Sequence, residues 1–181
     1  MSKMVDDLQK IIISREEIEK AVKRLGEEIS RDYEGKTPMM VSILKGAFVF
    51  MADLVREVTV PCTIDFMAVS SYGNGTSTTG KVKIIKDLDT NIEGQDVIIV
   101  EDILDSGVTL SHLVDLLSAR HPKSIKICTL FDKPERHKVE IDVAYKGMNV
   151  PNEFIVGYGL DYAEKYRNLH DVWVLKPEIY S

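Results

Sequence analysis

Two adjacent carboxylates, Glu101 and Asp102, are followed by two apolar residues and then by Asp105-Ser106-Gly107-Val108-Thr109. A loop of small residues that feeds a helix offers backbone N–H groups and the positive end of a helix dipole, a natural cradle for phosphate. Carboxylates beside such a cradle accept hydrogen bonds from hydroxyls or hold a hard cation. Together the two halves suit a substrate with both hydroxyls and phosphate, most simply a sugar phosphate. A plainer alternative is a strand–loop–helix crossover in which Asp105 or Thr109 caps the helix. That accounts for one polar residue but leaves the two neighbouring acids unexplained. The loop is not a nucleotide-binding P-loop, because it lacks the Gly-Lys-[Ser/Thr] ending.

The elements that must position these groups are legible from apolar spacing. Val97-Ile98-Ile99-Val100 is an unbroken apolar run, as expected of a strand covered on both faces. Leu110, Leu113, Val114 and Leu117 give the following segment a helical stripe. Upstream, Ser14-Arg15-Glu16-Glu17 is a capping box opening a helix with Ile18, Val22, Leu25 and Ile29 on one side. Met39 to Leu44 is expected as a buried strand, with a turn at Lys45-Gly46 and a helix to about Val55. Further strands are expected over Cys62 to Ser70, Val82 to Ile85 and Ile125 to Leu130. Shorter ones are expected at Tyr145, Phe154 to Val156 and Trp173 to Leu175. Residues 72–80 are rich in turn formers and are expected as a mobile loop. Strands alternating with helices imply right-handed crossovers. The expected fold is therefore α/β, a mainly parallel central sheet flanked by helices, with a small appended hood subdomain from the later strands. Residues 1–181 are expected to form one domain.

The composition narrows the function classes. The chain has 181 residues, 44% apolar and 29% charged, with a net charge of −6. Net acidity argues against non-specific binding to nucleic acid or anionic membranes, which needs clustered Lys and Arg. Cys62 and Cys128 lie in apolar runs without a CxxC spacing, as expected of reduced core residues. His112, His121, His137 and His170 show no ligand spacing, so surface or capping roles and no zinc are expected. No signal core or membrane-length run is apparent, and a soluble, cytoplasmic protein is the expectation.

The stretch from Val97 to Thr109 resembles the 5-phosphoribosyl-1-pyrophosphate (PRPP) signature of type I phosphoribosyltransferases. Roughly residues 10 to 175 resemble, in order, the hypoxanthine-guanine branch of that family. The resemblance implies transfer of the phosphoribosyl group from PRPP to hypoxanthine or guanine, giving IMP or GMP and pyrophosphate. By the same resemblance, Asp105, Ser106, Gly107, Val108 and Thr109 hold the 5′-phosphate, and Asp105 acts as general base at the purine. Glu101 and Asp102 serve the ribose hydroxyls, directly or through metal. Lys45 and Gly46 in Leu-Lys-Gly, after a peptide that is often cis in the family, contact pyrophosphate together with Arg167. Lys133 donates to the purine 6-oxo oxygen, Phe154 stacks on the base, and main-chain groups near Ile155 and Asp161 face its 2-position. Ser71 and Tyr72 belong to a loop closing over the site. Mg²⁺ is the implied cofactor, with Glu101, Asp102 and Asp161 as its ligands. A homodimer or homotetramer is implied, with no nucleic-acid or membrane partner. Position 108 is Val where some relatives carry Lys, so one side-chain phosphate contact is absent.

Two rival readings remain at this level. The PRPP motif also serves enzymes specific for adenine, orotate, uracil or xanthine; Lys133 with Phe154 favours 6-oxopurines. Some proteins of this fold act as nucleic-acid-binding regulators, which the acidity of the chain disfavours.

Overall fold

The computed structural model describes residues 3–71 and 81–181; the expected 72–80 loop, with Tyr72, lies outside them. The elements run α1 (Lys3–Asp6), β1 (Leu8–Ile13), α2 (Arg15–Asp32), β2 (Met39–Leu44), α3 (Phe48–Glu57) and β3 (Thr63–Ser71). They continue with β4 (Val82–Lys86), β5 (Asp96–Leu104), α4 (Val108–Ser118), β6 (Ser124–Asp132) and a 3₁₀ turn at Pro134–Arg136. β7 (Tyr145–Asn149), β8 (Ile155–Val156), β9 (Val172–Leu175) and α5 (Pro177–Tyr180) complete the chain. No helix of the described residues is long and apolar enough to cross a membrane.

The capping box forms as expected. The Ser14 hydroxyl accepts from the Glu17 N–H at 3.2 Å, and the Ser14 N–H donates to Glu17 Oε2 at 2.7 Å. Two orphan amides at the start of α2 are thereby satisfied reciprocally. The helix then buries Ile18, Val22, Leu25 and Ile29, the stripe read from the sequence.

Six strands form the main sheet in the order β4-β3-β2-β5-β6-β7, and only β4 runs antiparallel to its neighbour. The pleat of β5 sorts its side chains between two cores, because successive residues point to opposite faces. Val97 and Ile99 pack with Leu110, Leu113 and Leu117 of α4. Ile98 and Val100 pack with Leu25, Ile29, Phe50 and Leu54 of α2 and α3. Val97 to Val100 are all fully buried, so the apolar run reflects cover on both faces.

Three features depart from the expectation. β1 was not anticipated; only its ends, Leu8 and Ile13, are buried, so it carries no alternation that marks a strand. It pairs antiparallel with β9, and with β8 forms the separate hood sheet β1-β9-β8. Tyr145 was expected in the hood but opens β7, the parallel edge of the main sheet opposite Cys128. Its ring is buried and its hydroxyl donates to Asp32 Oδ2 at 2.7 Å, tying that edge to α2. Finally, β5 does not end at the acids. It continues through Glu101 and Asp102 to Leu104, pairing Ile103 with Phe131 and Leu104 with Asp132 of β6.

Candidate active site

Extension of β5 through the acids has a direct consequence, since the pleat sends neighbours to opposite faces. Glu101 faces a cleft of about 250 Å³ whose walls include Ile103, Asp105, Ser106, Gly107 and Thr109. Asp102 faces the other side, toward the turn between β2 and α3. A Cβ built on Gly46 would lie 2.0 Å from Asp102 Oδ2, so only glycine lets this carboxylate approach the turn. Gly46 itself is pressed from outside, because a Cβ on Gly159 would lie 2.2 Å from its carbonyl oxygen. The Leu44–Lys45 peptide within this turn is cis.

Both acids are poorly compensated. Burial, then the negative charge of Asp102, raises Glu101 well above the ordinary carboxylate range. Burial raises Asp102 to about 6, with the Ile103 N–H and Arg167 opposing and Asp161 adding to the rise. Such groups call for a counter-charge or a hydroxyl donor from a ligand.

The loop after β5 retains its capacity for an anion. Gly107 is the N-cap of α4, at φ +79°, and has no side chain with which to cap the helix. The capping role considered for Asp105 or Thr109 is therefore not what the structure holds. Gly107 is tightly enclosed, since a Cβ there would meet Ile141 at 3.1 Å and Val139 at 3.2 Å. Ser106 Oγ lies 3.3 Å from the Val108 N–H, and Thr109 Oγ1 lies 3.0 Å from Ser71 Oγ at the end of β3. Ser71, expected in the closing loop, is instead the last residue of β3, and its hydroxyl lies beside the phosphate loop.

Asp105 has a partner that sequence reasoning missed: Arg136 Nε donates to its Oδ1 at 2.5 Å. The signal was Pro134, which opens a single helical turn directly after Lys133 and carries Arg136 at its end. That turn is braced by a second unanticipated pair. His137 Nε2 lies 2.5 Å from Oδ1 of the buried Asp132, and Lys146 Nζ lies 3.4 Å from its Oδ2. His137 is exposed and closes the turn as its C-cap, as expected, and it also serves Asp132, because a buried carboxylate needs such partners.

Lys133 is 9% exposed and donates from Nζ to the Glu153 carbonyl at 2.9 Å. Burial lowers its pKa, the nearby Asp105 raises it and Arg136 lowers it further. The bond to Glu153 joins Lys133 to the segment carrying Phe154 and Ile155. Ile155 is buried in β8, whereas Phe154 remains 36% exposed. The Phe154 ring stacks on Tyr180 at 4.6 Å and meets Tyr162 edge-on at 5.6 Å.

The last group of expected residues converges beside Gly46. Arg167 donates to the Gly159 carbonyl at 2.7 Å and lies 3.4 Å from Asp161. Lys45 Nζ lies 3.0 Å from Oε2 of Glu164, a residue not singled out from sequence. No three His, Cys, Asp or Glu side chains among the described residues are grouped tightly enough to hold a metal. Asp161 is nonetheless close enough to add to the cost of ionising Asp102, and the hard oxygens of both suit Mg²⁺.

Comparison with known proteins agrees with this arrangement. Residues 9–163 match the family model described as the phosphoribosyl transferase domain. The chain is 54% identical over 178 residues to the hypoxanthine-guanine phosphoribosyltransferase of Bacillus subtilis, covering 98% of this chain and 99% of that protein. It is 56% identical over 178 residues to the bifunctional protein TilS/HprT of Listeria monocytogenes, but spans 28% of that longer relative. A crystal structure of a hypoxanthine phosphoribosyltransferase from Staphylococcus aureus superposes with a TM-score of 0.96 at 49% identity, covering 99% of this chain and 98% of that one. By the match over most of its length and by the cleft at the end of β5, the chain belongs to the phosphoribosyl transferase domain family.

Proposed function

We propose that this protein transfers the phosphoribosyl group of PRPP to hypoxanthine or guanine, releasing pyrophosphate and forming IMP or GMP. The observation that carries this reading is the junction at the end of β5. There the glycine N-cap of α4 and the undercompensated Glu101 share one cleft, while Asp102 on the other face of β5 and the buried Lys133 just past β6 stand at the same end of the sheet.

The demands of the reaction are electrostatic. As the bond from C1′ to pyrophosphate breaks, positive charge builds on the ribose and negative charge on the leaving group. Amides of residues 105–109, with the Ser106 and Thr109 hydroxyls, hold the 5′-phosphate and so fix the ribose. Glu101, on the cleft side, accepts from ribose hydroxyls and faces the developing positive charge. Lys45, Gly46 and Arg167 line the side where pyrophosphate leaves. Asp105 takes the proton from purine N7 while N9 attacks C1′. Its pairing with Arg136 keeps its carboxylate oriented at the cleft before the base arrives. Lys133 donates to the 6-oxo oxygen, and Phe154 supports the ring with main-chain groups near Ile155 and Asp161 at the 2-position.

Mg²⁺ fits Asp102 and Asp161, whose hard oxygens would hold it with substrate oxygens and water completing the shell; Glu101, expected as a third ligand, lies on the opposite face of β5 and does not join them. When bound, Mg²⁺ supplies neutralisation of the pyrophosphate charge. A homodimer or homotetramer is the further proposal. Its support is a wide groove between α2 and α3, floored by Phe48, which is 46% exposed, and edged by charges of both signs such as Arg15, Glu19 and Arg56. A cytoplasmic location and the absence of nucleic-acid or membrane partners belong to the same proposal.

Incubation with PRPP, Mg²⁺ and each of hypoxanthine, guanine, xanthine and adenine tests the reaction directly. IMP and GMP should form without AMP, and failure to form either would end this reading. Asp105→Asn should lower kcat by ~10²–10⁴-fold with PRPP affinity nearly kept; a fully active variant would remove Asp105 as base. Lys133→Ala should erase most of the preference for hypoxanthine over adenine, which a designed hydrogen bond sets at ~10⁴ or more. Sedimentation velocity should show a single dimeric or tetrameric species, and a monomer would refute the assembly.

The raised Asp102 carboxyl also has a consequence for stability. Its folded value of about 6 exceeds the ordinary 3.8, so the folded chain binds this proton more tightly. Stability contributed through Asp102 is therefore greatest in acid and is lost as pH rises through about 4 to 6. In metal-free buffer near neutrality, Asp102→Asn should raise Tm by about 2–8 °C while turnover falls. An unchanged or lowered Tm would show that burying this charge is not destabilising.

A further inference from the structure

Glu164 sits where its two carboxylate oxygens meet two cations from distant parts of the chain. Its Oε2 lies 3.0 Å from Lys45 Nζ and its Oε1 lies 3.5 Å from Arg167 Nη2. Lys45 comes from the turn after β2, and Arg167 is held in place by the Gly159 carbonyl and by Asp161. A carboxylate edge and a phosphate edge present the same two-oxygen face to such cations.

Glu164 is carried to this position by a tight turn. Tyr162 and Lys165 exchange backbone hydrogen bonds at 3.2 and 3.0 Å, and the Glu164 N–H donates to Asp161 Oδ2 at 2.9 Å. Ala163 at φ +50° and Glu164 at φ +65° both occupy the left-handed region, where residues with a Cβ are uncommon. The backbone of the turn is thus well determined. The side chains are not: Glu164 is 63% exposed and Lys45 is 68% exposed. The ion pair is therefore water-screened and weak enough to be exchanged for a stronger anion.

We propose that Glu164 is an internal stand-in for the diphosphate of the substrate, bridging Lys45 and Arg167 until the ligand displaces it. The inference rests on the reading of Lys45 and Arg167 as diphosphate contacts. Two carboxylates already stand at the corner, since Asp102 and Asp161 lie beside Arg167. A diphosphate arriving with Glu164 still in place would meet a third carboxylate at close range. Displacement is thus part of binding, and Glu164 returns as pyrophosphate leaves. The free protein keeps its two cations apart and paired, and the affinity for the anion is lowered by the fraction of molecules in which Glu164 occupies the corner.

The test is calorimetric titration of inorganic pyrophosphate at fixed Mg²⁺ into the parent, Glu164→Gln, Lys45→Ala and Arg167→Ala proteins. Glu164→Gln should bind pyrophosphate about two- to fivefold more tightly, the range expected from losing exposed ion pairs. The gain should shrink as salt is raised, because the competition is screened. Damage to the turn can only weaken binding, so tightening distinguishes competition from a structural role. Unchanged or weaker binding by Glu164→Gln, with Lys45→Ala and Arg167→Ala both weakened, would overturn the stand-in and leave the diphosphate site intact. If none of the three variants changes pyrophosphate affinity, the diphosphate reading of this corner falls as well.

Discussion

The pleat of β5 is the constraint on which the rest of the site depends. Its apolar half is buried on both faces, so the strand cannot rotate or slip by one residue without exposing a core. Glu101 and Asp102 inherit that fixed alternation. One acid is delivered to the phosphate-loop cleft and the other to the turn at Gly46, although they are neighbours in the chain. In the proposed reaction one acid would face the positive charge on the ribose, and the other would hold a cation toward the leaving group. A single strand end supplies both, and the surrounding helices supply the burial that leaves them short of partners.

Around that strand the remaining parts are tied in pairs. Asp105 is held by Arg136, and the turn bearing Arg136 is braced by His137 on Asp132. Lys133, at the start of the same turn, is tied to the carbonyl before Phe154. The residues proposed to recognise the base are therefore oriented through one short turn whose anchor is a buried carboxylate. Preorganisation of this kind keeps rotamers from diluting a site, at the expense of stability that buried charges do not return.

The fold and the phosphate loop were legible because they rest on local rules. Apolar runs, the Ser14 capping box and the helical stripe of α4 depend on residues near one another in sequence. β1 was not legible, since its burial pattern comes from pairing with β9 at the other end of the chain. The same holds for Arg136 and Glu164, whose partners are Asp105 and Lys45, far away in sequence. Recognition of Lys133, Phe154 and Asp161 came from family resemblance rather than from their spacing. Tyr180 on Phe154 is a further long-range contact that no local pattern announces.

Gly46 and Gly159 show how three segments are fastened. The turn after β2, the acid of β5 and the strand-like segment before Asp161 meet with no side chain between them. A joint made of backbone has no rotamers to shift and no room for another residue type. Relative positions of Lys45, Asp102 and Arg167 are therefore set by chain geometry rather than by adjustable packing. A side chain added at either glycine would push these segments apart, so the seam is a fixed datum for the corner where diphosphate and metal are proposed to bind.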